Sequence, residues 1–267
     1  MKASVLVAIP FKNKSDLTIS CLESLIRSYV SGLTYEILLI SDGSKNEEIN
    51  NVLKNNPYGN TIQLKKQQNV GYTKTIYDVV EYAKKRGFDY LLLSNNDIKF
   101  LHGTLYSLVK KISSNPNIAN VGCKILHWTD DVIIHTGTRI NKKCENWIEN
   151  PYCGLSPDDP IVNFSERRLW NNGCCSIYNL DILRKENMNF DLSFSIYFEE
   201  SDLMTRFNLK GYSVLYEPRS IVRHKVNATV GDDIEKYGPI FNKNWNLYLS
   251  KWKKYFNSKM LYFQEEI

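Results

Sequence analysis

The stretch Tyr90-Leu91-Leu92-Leu93-Ser94-Asn95-Asn96-Asp97 decides the predicted fold, because an apolar run ends abruptly in two amides and a carboxylate. Bulky apolar residues without alternation are typical of a strand that is buried on both faces of a parallel sheet. Such a strand carries the residues after it to the carboxyl edge of the sheet, where open α/β sheets bind ligands. Asn95, Asn96 and Asp97 are therefore predicted at the mouth of a crevice. Their oxygen atoms suit a hard divalent cation, and that cation suits a diphosphate. A strand-end Asx turn is the alternative interpretation.

The residues before this stretch alternate between predicted strands and helices. The predicted strands are 4–9, 36–40 and 61–65. The predicted helices begin after a cap at Ser15 or Asp16, at Lys45 and near Thr73. This alternation indicates a parallel sheet with right-handed crossovers, and a nucleotide-binding half is its natural interpretation. Neither the dinucleotide fingerprint nor a glycine-rich phosphate-cradling loop occurs in the chain. A cation at Asp97 is therefore expected to neutralise the phosphates.

Polar clusters also follow strands or loops in the second half. The segment Trp170-Asn171-Asn172-Gly173 joins a polar aromatic loop to an apolar strand. Glu199, Glu200 and Asp202 crowd at a predicted helix start, where the helix dipole favours carboxylates and accounts for Asp202 and one glutamate. Mutual repulsion and an apolar wall would raise the pKa of at least one carboxyl, as a general base requires. His224 ends a further strand and is either a structural histidine or a metal ligand.

Composition places the chain among ordinary globular proteins. Its 267 residues can form one large α/β domain or two small ones with a substantial core. The net charge of +5 fits an anionic small molecule or an acidic membrane surface and is too weak to indicate nucleic acid. The six cysteines lack metal-type spacing and are interpreted as reduced thiols of a cytosolic protein. The short apolar start does not fit a signal peptide, and no apolar run is long enough to span a membrane.

The tail from residue 237 to residue 263 interleaves aromatic side chains with lysines. The residues concerned are Trp245, Tyr248, Trp252, Tyr255, Phe256, Lys243, Lys251, Lys253 and Lys254. A basic aromatic helix can lie on an anionic membrane surface. It can also pack across the domain while its lysine side chains extend to solvent. We expect packing, with peripheral membrane contact as the second alternative.

Taken in order over about residues 4–224, these motifs resemble those of the family 2 glycosyltransferases, and among them the rhamnosyltransferase-like enzymes of bacterial polysaccharides. The resemblance implies an α/β fold of the GT-A type. In this fold a Rossmann-like, mostly parallel central sheet is flanked by helices, with a smaller mixed acceptor-side region. It also implies one domain over 1–267: a nucleotide-sugar-binding half (1–124), an acceptor-binding and catalytic half (125–230) and a basic aromatic helical tail (231–267).

The resemblance assigns the donor nucleotide to the first-strand proline, the second-strand aspartate, the Asn-x-Gly turn and the metal motif, with two neighbouring side chains. These positions are Pro10, Phe11, Asp42, Asn69, Gly71, Lys74, Asn95, Asn96 and Asp97. The Asp-x-Asp metal motif of the family falls on Asn95-Asn96-Asp97, so this chain keeps only the last carboxylate. Asp97 and His224 are expected to hold Mg²⁺ or Mn²⁺.

Catalysis is expected in the second half. Glu200 takes the place of the family's catalytic aspartate, and Glu199 is the neighbour that would otherwise act. The residues expected to bind the acceptor are Trp170, Asn171, Asn172 and Asp202. The implied reaction is inverting transfer from a UDP- or dTDP-linked sugar to a hydroxyl of a glycan or lipid-linked acceptor. The implied setting is bacterial surface polysaccharide synthesis, in the cytoplasm or at the inner face of the cell membrane.

Two other functions stay open at the level of sequence. A sugar-1-phosphate nucleotidyltransferase would share the strand-end cation, but it would be expected to carry a glycine-rich basic loop where Pro10-Phe11-Lys12 stands. A sugar-nucleotide or glycan-binding module without catalysis is suggested by Asn95 and Glu200, which replace aspartates of the family. Sugar transfer in vitro separates these alternatives. No pattern in the sequence indicates an oligomeric state.

Overall fold

A computed structural model of the chain describes residues 3–144, 147–226, 234–258 and 261, and shows a large sheet flanked by helices. Its strands are β1 (Val5–Phe11), β2 (Tyr35–Asp42), β3 (Gln63–Gln67), β4 (Tyr90–Ser94), β5 (Ile98–Phe100), β6 (Ile118–His127), β7 (Ile133–His135), β8 (Arg139–Ile140), β9 (Ile148–Glu149), β10 (Glu166–Arg167), β11 (Cys175–Asn179) and β12 (Ser213–His224). Its α-helices are α1 (Ser15–Arg27), α2 (Asn46–Asn55), α3 (Tyr72–Arg86), α4 (Thr104–Ile112), α5 (Leu180–Lys185), α6 (Glu199–Leu209) and α7 (Ile234–Trp252).

The strand order of the large sheet determines where the polar strand ends meet. The order is β10-β12-β6-β11-β4-β1-β2-β3, with β5 beside β12 and β7 beside β6. Strands β1 to β4 are parallel, β11 runs antiparallel between β4 and β6, and β12 is parallel to β6. The carboxyl ends of β2, β4 and β12 therefore lie at the same edge as the start of β11. The predicted α/β sheet, mostly parallel with a mixed region in the second half, is confirmed.

The two central strands are buried on both faces, as their unbroken apolar runs predict. Along β1, Val7 and Ile9 pack into a core that includes α1 and α4, whereas Leu6 and Ala8 pack into a core that includes α3 and α6. In β4, Leu92 belongs to the first core, and its neighbours in the strand belong to the second. Burying such a side chain contributes about 1.5–3 kcal/mol. The central strands are thus fixed between two apolar layers, and their polar ends are held rigidly at the edge.

Two local predictions differ from the structure. Ser15 is the first residue of α1 rather than its cap, and its backbone N–H donates to the Glu48 carboxylate at 2.8 Å. The Glu48 side chain of α2 therefore accepts from the N-terminal end of α1, where a cap from a neighbouring residue in the sequence was expected. The sequence pattern predicts two strands here, at 213–216 and 221–224. The structure has one strand instead, β12, whose register shifts between Glu217 and Ile221. Pro218 lies within this shift and has no N–H to donate to a neighbouring strand.

The C-terminal helix packs across the second half of the chain. Tyr248 of α7 is fully buried, and its hydroxyl lies 2.7 Å from the Thr205 hydroxyl of α6. Asn244 donates to the backbone oxygen of Ile196 at 2.6 Å. These contacts support the packing interpretation of the tail, of which residues 231–233, 259–260 and 262–267, including Phe263, lie outside the described residues. In the described part of the chain, no helix combines the length and the apolar character needed to cross a lipid bilayer.

Candidate active site

Asp97 and His224 lie side by side at the carboxyl edge of the sheet. His224 pairs with Ile98 in antiparallel register, and this pairing brings its Nε2 to 3.3 Å from Asp97 Oδ1. Asp97 is buried, and within the described part of the chain its Oδ1 accepts no hydrogen bond. A buried carboxylate oxygen without a donor is unfavourable unless a positive group meets it. Two neighbouring ligands of one octahedral Mg²⁺ are about 3 Å apart, so this pair fits a divalent cation.

The protein ligands of such an ion would be few. The described residues contain no group of three or more His, Cys, Asp or Glu side chains arranged to hold a metal. Mg²⁺ commonly keeps several waters and is bound through one or two carboxylates together with substrate phosphates. The pair of Asp97 and His224 therefore suits an ion that a phosphate ligand would help to complete.

The two asparagines before Asp97 have different partners. Asn96 is buried and donates from Nδ2 to the Thr18 hydroxyl at 3.0 Å, so it attaches the strand end to α1. Asn95 accepts from the Tyr72 hydroxyl at 3.3 Å and donates its backbone N–H to the Cys174 oxygen at 2.8 Å. Asn95 therefore links α3, the end of β4 and the start of β11. The side chain of Asn96, which was predicted to bind the nucleotide sugar, contacts α1 instead.

Asp42 shapes the predicted Asn-x-Gly turn from the end of β2. Its Oδ1 accepts from the backbone N–H of Val70 at 2.9 Å and from Gln67 Nε2 at 3.1 Å. Its Oδ2 accepts from the N–H of Gly71 at 3.2 Å. A carboxylate oxygen can accept more than one such bond, so Oδ2 retains capacity for a ligand. The structure thus brings Asp42 and this turn together, as the sequence predicts.

We expect Gly43→Ala to distort this turn. Gly43 has φ +76°, and an added Cβ would lie 2.8 Å from Asn69 Cβ and 2.9 Å from its backbone nitrogen. Strain and contact together should lower the free energy of unfolding by about 1–3 kcal/mol and weaken nucleotide binding. The matched control is Gly32→Ala, at φ +88°. A Cβ added there would lie more than 4 Å from the described atoms around it, so this change adds backbone strain alone. Urea unfolding measures the free energy of unfolding, and nucleotide titration measures the affinity. Equal losses of stability and affinity in the two variants would contradict the prediction.

The other predicted donor residues occupy the first strand and α3. Pro10 is buried and pairs with Ile40 of β2, and Phe11 is buried in the core. The Phe11 side chain therefore stabilises the sheet rather than facing a ligand. Lys74, in the first turn of α3, forms an ion pair with Asp78 and remains partly exposed. Its proposed contact with the donor remains a prediction.

Glu199 and Glu200 begin α6 directly after a strained segment. Tyr197 and Phe198 both adopt left-handed backbone conformations, with φ +66° and +68°. Such conformations cost of order 1–3 kcal/mol each and occur preferentially at functional sites. They turn the chain abruptly into α6, so that Glu200 reaches Gly173 at the start of β11. A Cβ at Gly173 would lie 3.2 Å from the carboxyl carbon of Glu200, and the glycine leaves room for this carboxylate.

The two glutamates differ in environment. Burial and the adjacent Glu200 carboxylate raise the pKa of Glu199 well above its usual range. Burial also raises the pKa of Glu200, but the backbone N–H groups of Glu200, Gly173 and Ser201 oppose this shift by stabilising the carboxylate. Glu200 thus has backbone N–H groups of three residues to stabilise its carboxylate form. Its Oε2 is buried and accepts no hydrogen bond from the residues that the structure describes, so it can accept one from a bound ligand.

A cleft of about 350 Å³ opens beside Glu200. It is lined mainly by aromatic and small polar side chains from the second half of the chain and from α7. The lining residues are His135, Thr138, Ile148, Trp170, Asn172, Tyr197, Phe198, Glu200, Ser201, Phe241 and Trp245. The structure therefore brings three predicted residues, Trp170, Asn172 and Glu200, into one cavity.

Asp97 and His224 lie next to this cleft rather than in its lining. Cys174 connects the two regions, because its backbone oxygen accepts from Asn95 and the preceding glycine contacts Glu200. Burial, Cys123, Asp97 and Glu200 together raise the pKa of the Cys174 thiol well above its usual range. Asp97 and Glu200 thus both lie near the Cys174 side chain. The expected metal ligands and the candidate base are therefore at the same edge of the sheet.

Two residues predicted to bind an acceptor have structural partners instead. Asn171 is buried and donates from Nδ2 to Asn120 Oδ1 at 2.8 Å and to the Leu215 oxygen at 2.9 Å. Asp202 is fully buried, and its carboxylate accepts from Arg206 Nε at 2.8 Å and Trp252 Nε1 at 2.9 Å. Lys251 pairs with the same carboxylate, which therefore anchors α7 to α6.

We expect Asp202→Asn to destabilise the junction of α6 and α7. The amide keeps the shape but removes the charge that Arg206 and Lys251 share, and it cannot accept from all the present donors. Buried donors that lose their acceptor cost about 1–3 kcal/mol, so the free energy of unfolding should fall by this amount. Urea denaturation measures it, with Asp181→Asn as control because Asp181 pairs with Arg184 at the surface. Equal stability of the two variants would contradict the anchoring role.

Several cleft residues had not been predicted. His135 follows the apolar run at 132–134, so the same strand-end signal that marks Asp97 and His224 was present in the sequence. Ser201 follows the two predicted glutamates directly. Phe241 and Trp245 come from α7, and their place in the cleft depends on contacts between residues 40 or more positions apart, such as that of Asn244 with Ile196. No local pattern contains that information.

Solved structures share this architecture and define its class. One is GalNAc-T7 with UDP, GalNAc and Mn²⁺, at TM-score 0.65 and 17% identity over 83% of this chain and 44% of that chain. Another is the mannosyltransferase PcManGT from Pyrobaculum calidifontis with GDP-Man and Mn²⁺, at TM-score 0.60 and 13% identity over 96% of this chain and 73% of that one. The chain spans less than half the length of the first. The fold is that of the GT-A glycosyltransferases.

A family model identifies the group within this class. The model described as glycosyl transferase family 2 matches residues 6–178. The chain belongs to glycosyl transferase family 2, which confirms the resemblance inferred from its motifs. A search of curated proteins finds no match.

Proposed function

We infer that this chain transfers a sugar from a nucleoside diphosphate sugar to an acceptor hydroxyl, with inversion at the anomeric carbon. The observation that carries the proposal is the Glu200 carboxylate, which lines a cleft beside the Asp97 edge and whose buried Oε2 has no hydrogen-bond partner among the described residues. Family membership supports the reaction class. The two structural neighbours were solved with nucleotides or nucleotide sugars and Mn²⁺, which supports this donor class and a divalent ion.

The donor would bind along the carboxyl ends of β1, β2 and β4. The Asp42 turn and the end of β1 would hold the nucleoside, and Asp97 and His224 would hold Mg²⁺ or Mn²⁺ against the diphosphate. Bound there, the ion supplies positive charge that stabilises a departing diphosphate. The first donors to test are UDP- and dTDP-linked sugars, as the motifs suggest, and GDP-linked sugars form a third group because one neighbour contains GDP-Man.

Glu200 would act on the acceptor. Its carboxylate accepts the proton of an acceptor hydroxyl as the hydroxyl oxygen bonds to the anomeric carbon and the bond to the diphosphate oxygen breaks. A positioned base of this kind contributes about 10²–10⁴ in rate. Attack from the side opposite the diphosphate inverts the anomeric configuration. Trp170 and Asn172, which line the same cleft, would position the acceptor.

Release of nucleoside diphosphate tests the proposal. The full chain is incubated with each donor sugar, Mn²⁺ and a mixture of glycan and lipid-linked acceptors, and nucleoside diphosphate and glycosylated product are separated by chromatography. Acceptor-dependent release that EDTA abolishes would support metal-assisted transfer. Tight donor binding without any release would instead identify a binding module, the alternative that Asn95 and Glu200 suggest.

A further inference from the structure

The cleft beside Glu200 has an uncharged lining apart from that glutamate. Among the described residues that line it there is no lysine or arginine, and the imidazole of His135 is the one nitrogen group that can titrate. His135 Nδ1 accepts the backbone N–H of Gly137 at 2.8 Å, which fixes the single ring proton on Nε2. Burial, Arg168 and His224 lower the pKa of His135 to about 4, so the ring is neutral at neutral pH. A phosphate placed in this cleft would meet no lysine or arginine side chain on the described lining.

Part of the cleft lining is an aromatic wall. Phe198 packs against Phe241 and Trp245 of α7, with ring centroids 5.0 and 5.3 Å apart. Tyr197 packs against the same Phe241 at 5.6 Å. Flat apolar faces of this kind suit the C–H face of a sugar ring, which is removed from water when it packs there. The wall therefore provides apolar area for a ring rather than a binding point for a charge.

Small polar groups on the lining match ring hydroxyls. His135 offers an Nε2–H donor. Asn172 uses its Oδ1 to accept the Cys174 N–H at 2.9 Å, which leaves its amide N–H groups as donors. Thr138 and Ser201 add hydroxyls, and the Glu200 carboxylate can accept. Ligand sites are typically apolar with a few placed polar groups that fix orientation.

We propose that this cleft binds a neutral sugar ring, packed on the wall of Phe198, Phe241 and Trp245 and hydrogen-bonded by His135 and Asn172. The acceptor is then a glycan whose hydroxyl is presented to Glu200, rather than a lipid phosphate. This inference rests on the proposed glycosyl transfer for its meaning in catalysis, but sugar binding itself can be measured without a donor.

The test is a tryptophan fluorescence titration of the full chain, without donor or metal. Trp170 and Trp245 line the cleft and report on its occupancy. The probes are the methyl pyranosides of glucose, galactose, mannose, rhamnose and N-acetylglucosamine, compared with dodecyl phosphate as a lipid phosphate. We expect saturable quenching by at least one methyl pyranoside and weaker binding of dodecyl phosphate.

Matched variants assign that signal to the cleft. Phe241→Ala removes one ring of the wall from a side chain that is 45% exposed, whereas Phe164→Ala removes a ring that is 66% exposed outside the cleft. Loss of one aromatic contact should weaken pyranoside binding about three- to tenfold, and the Phe164 variant should bind like the parent chain. His135→Phe keeps a ring but removes the donor and should weaken binding by a similar factor. Thermal unfolding checks that each variant is folded.

Four outcomes would overturn the inference. These are no response to any methyl pyranoside, equal affinity of the Phe241 and Phe164 variants, unchanged binding by His135→Phe, and tighter binding of dodecyl phosphate than of every pyranoside. A separate assay of sugar transfer distinguishes this inference from the proposed function. Pyranoside binding without transfer would reject the function and retain the sugar site. Transfer to dodecyl phosphate alone would retain the function and reject the sugar site.

Discussion

Replacing Glu200 with Gln is expected to lower the rate of sugar transfer by about 10²–10⁴ while leaving donor affinity within about threefold of the parent chain. Gln has nearly the shape of Glu and can remain beside Gly173, but its amide cannot take a proton from an acceptor hydroxyl. The donor would bind at the ends of β1, β2 and β4, and this region keeps its contacts in the variant. Product formation at saturating donor and calorimetric titration of the nucleoside diphosphate provide the two measurements.

Glu199→Gln is the matched control for this prediction. Glu199 is the more deeply buried member of the pair and does not line the cleft, whereas Glu200 does. Its replacement by a neutral amide should change the rate much less. A larger loss in the Glu199 variant than in the Glu200 variant would transfer the role of base to Glu199.

The pH dependence gives a second test of the same role. A base acts only after losing its proton, so the rate should fall as pH decreases through the pKa of Glu200. Burial places that pKa above the ordinary value of 4.5 for a glutamate. The acid limb of the rate profile should therefore be centred above pH 4.5, and Glu200→Gln should not show it. An identical limb in the variant would show that another group titrates.

The donor side of the site was predictable because its signals are local in sequence. Asp42 ends an apolar strand and Asp97 follows three residues after the end of another, so each lies at the carboxyl edge of the sheet. His224 also ends a strand, but its distance to Asp97 depends on its pairing with Ile98 and could not be predicted from the local sequence. The order of parallel strands then brings these ends together. Local pattern and strand pairing are therefore sufficient to place Asp42, Asp97 and His224 at this edge of the sheet.

The acceptor side was harder to predict because a polar residue in a sequence can be a ligand or an internal partner. Asp202 was predicted to bind an acceptor, yet Trp252, fifty positions later, takes one of its oxygens. Asn171 was predicted to face the same ligand, yet it is buried against Asn120, fifty-one positions earlier. These outcomes depend on where α7 and β6 pack. Glu200 differs from both in that it lines the cleft.

Asp97→Ala is expected to remove metal-dependent donor binding. Loss of a residue that only supports a metal ligand typically reduces metal affinity 10–100-fold, so loss of a direct ligand should exceed about 100-fold. His224 alone would remain at this edge as a protein ligand. Titration of UDP with Mn²⁺, and again with EDTA, measures the effect: the parent chain should bind more tightly with Mn²⁺, and the variant should bind equally weakly in both. An unchanged response to Mn²⁺ would place the ion elsewhere.

Asn95→Asp completes this test because it restores the first carboxylate of the Asp-x-Asp pattern. Asn95 Oδ1 already accepts from the Tyr72 hydroxyl, and an aspartate can keep that bond. If Asp97 holds the ion, a second carboxylate two residues away should strengthen Mn²⁺ binding in the parent chain. The same change in the Asp97→Ala background should recover part of the lost affinity, because hard cations favour carboxylate oxygen. If the ion lies elsewhere, Asn95→Asp should leave Mn²⁺ affinity unchanged in both backgrounds. The presence of only one carboxylate in Asn95-Asn96-Asp97 then means a weaker, exchangeable ion that depends on the donor diphosphate for its remaining ligands.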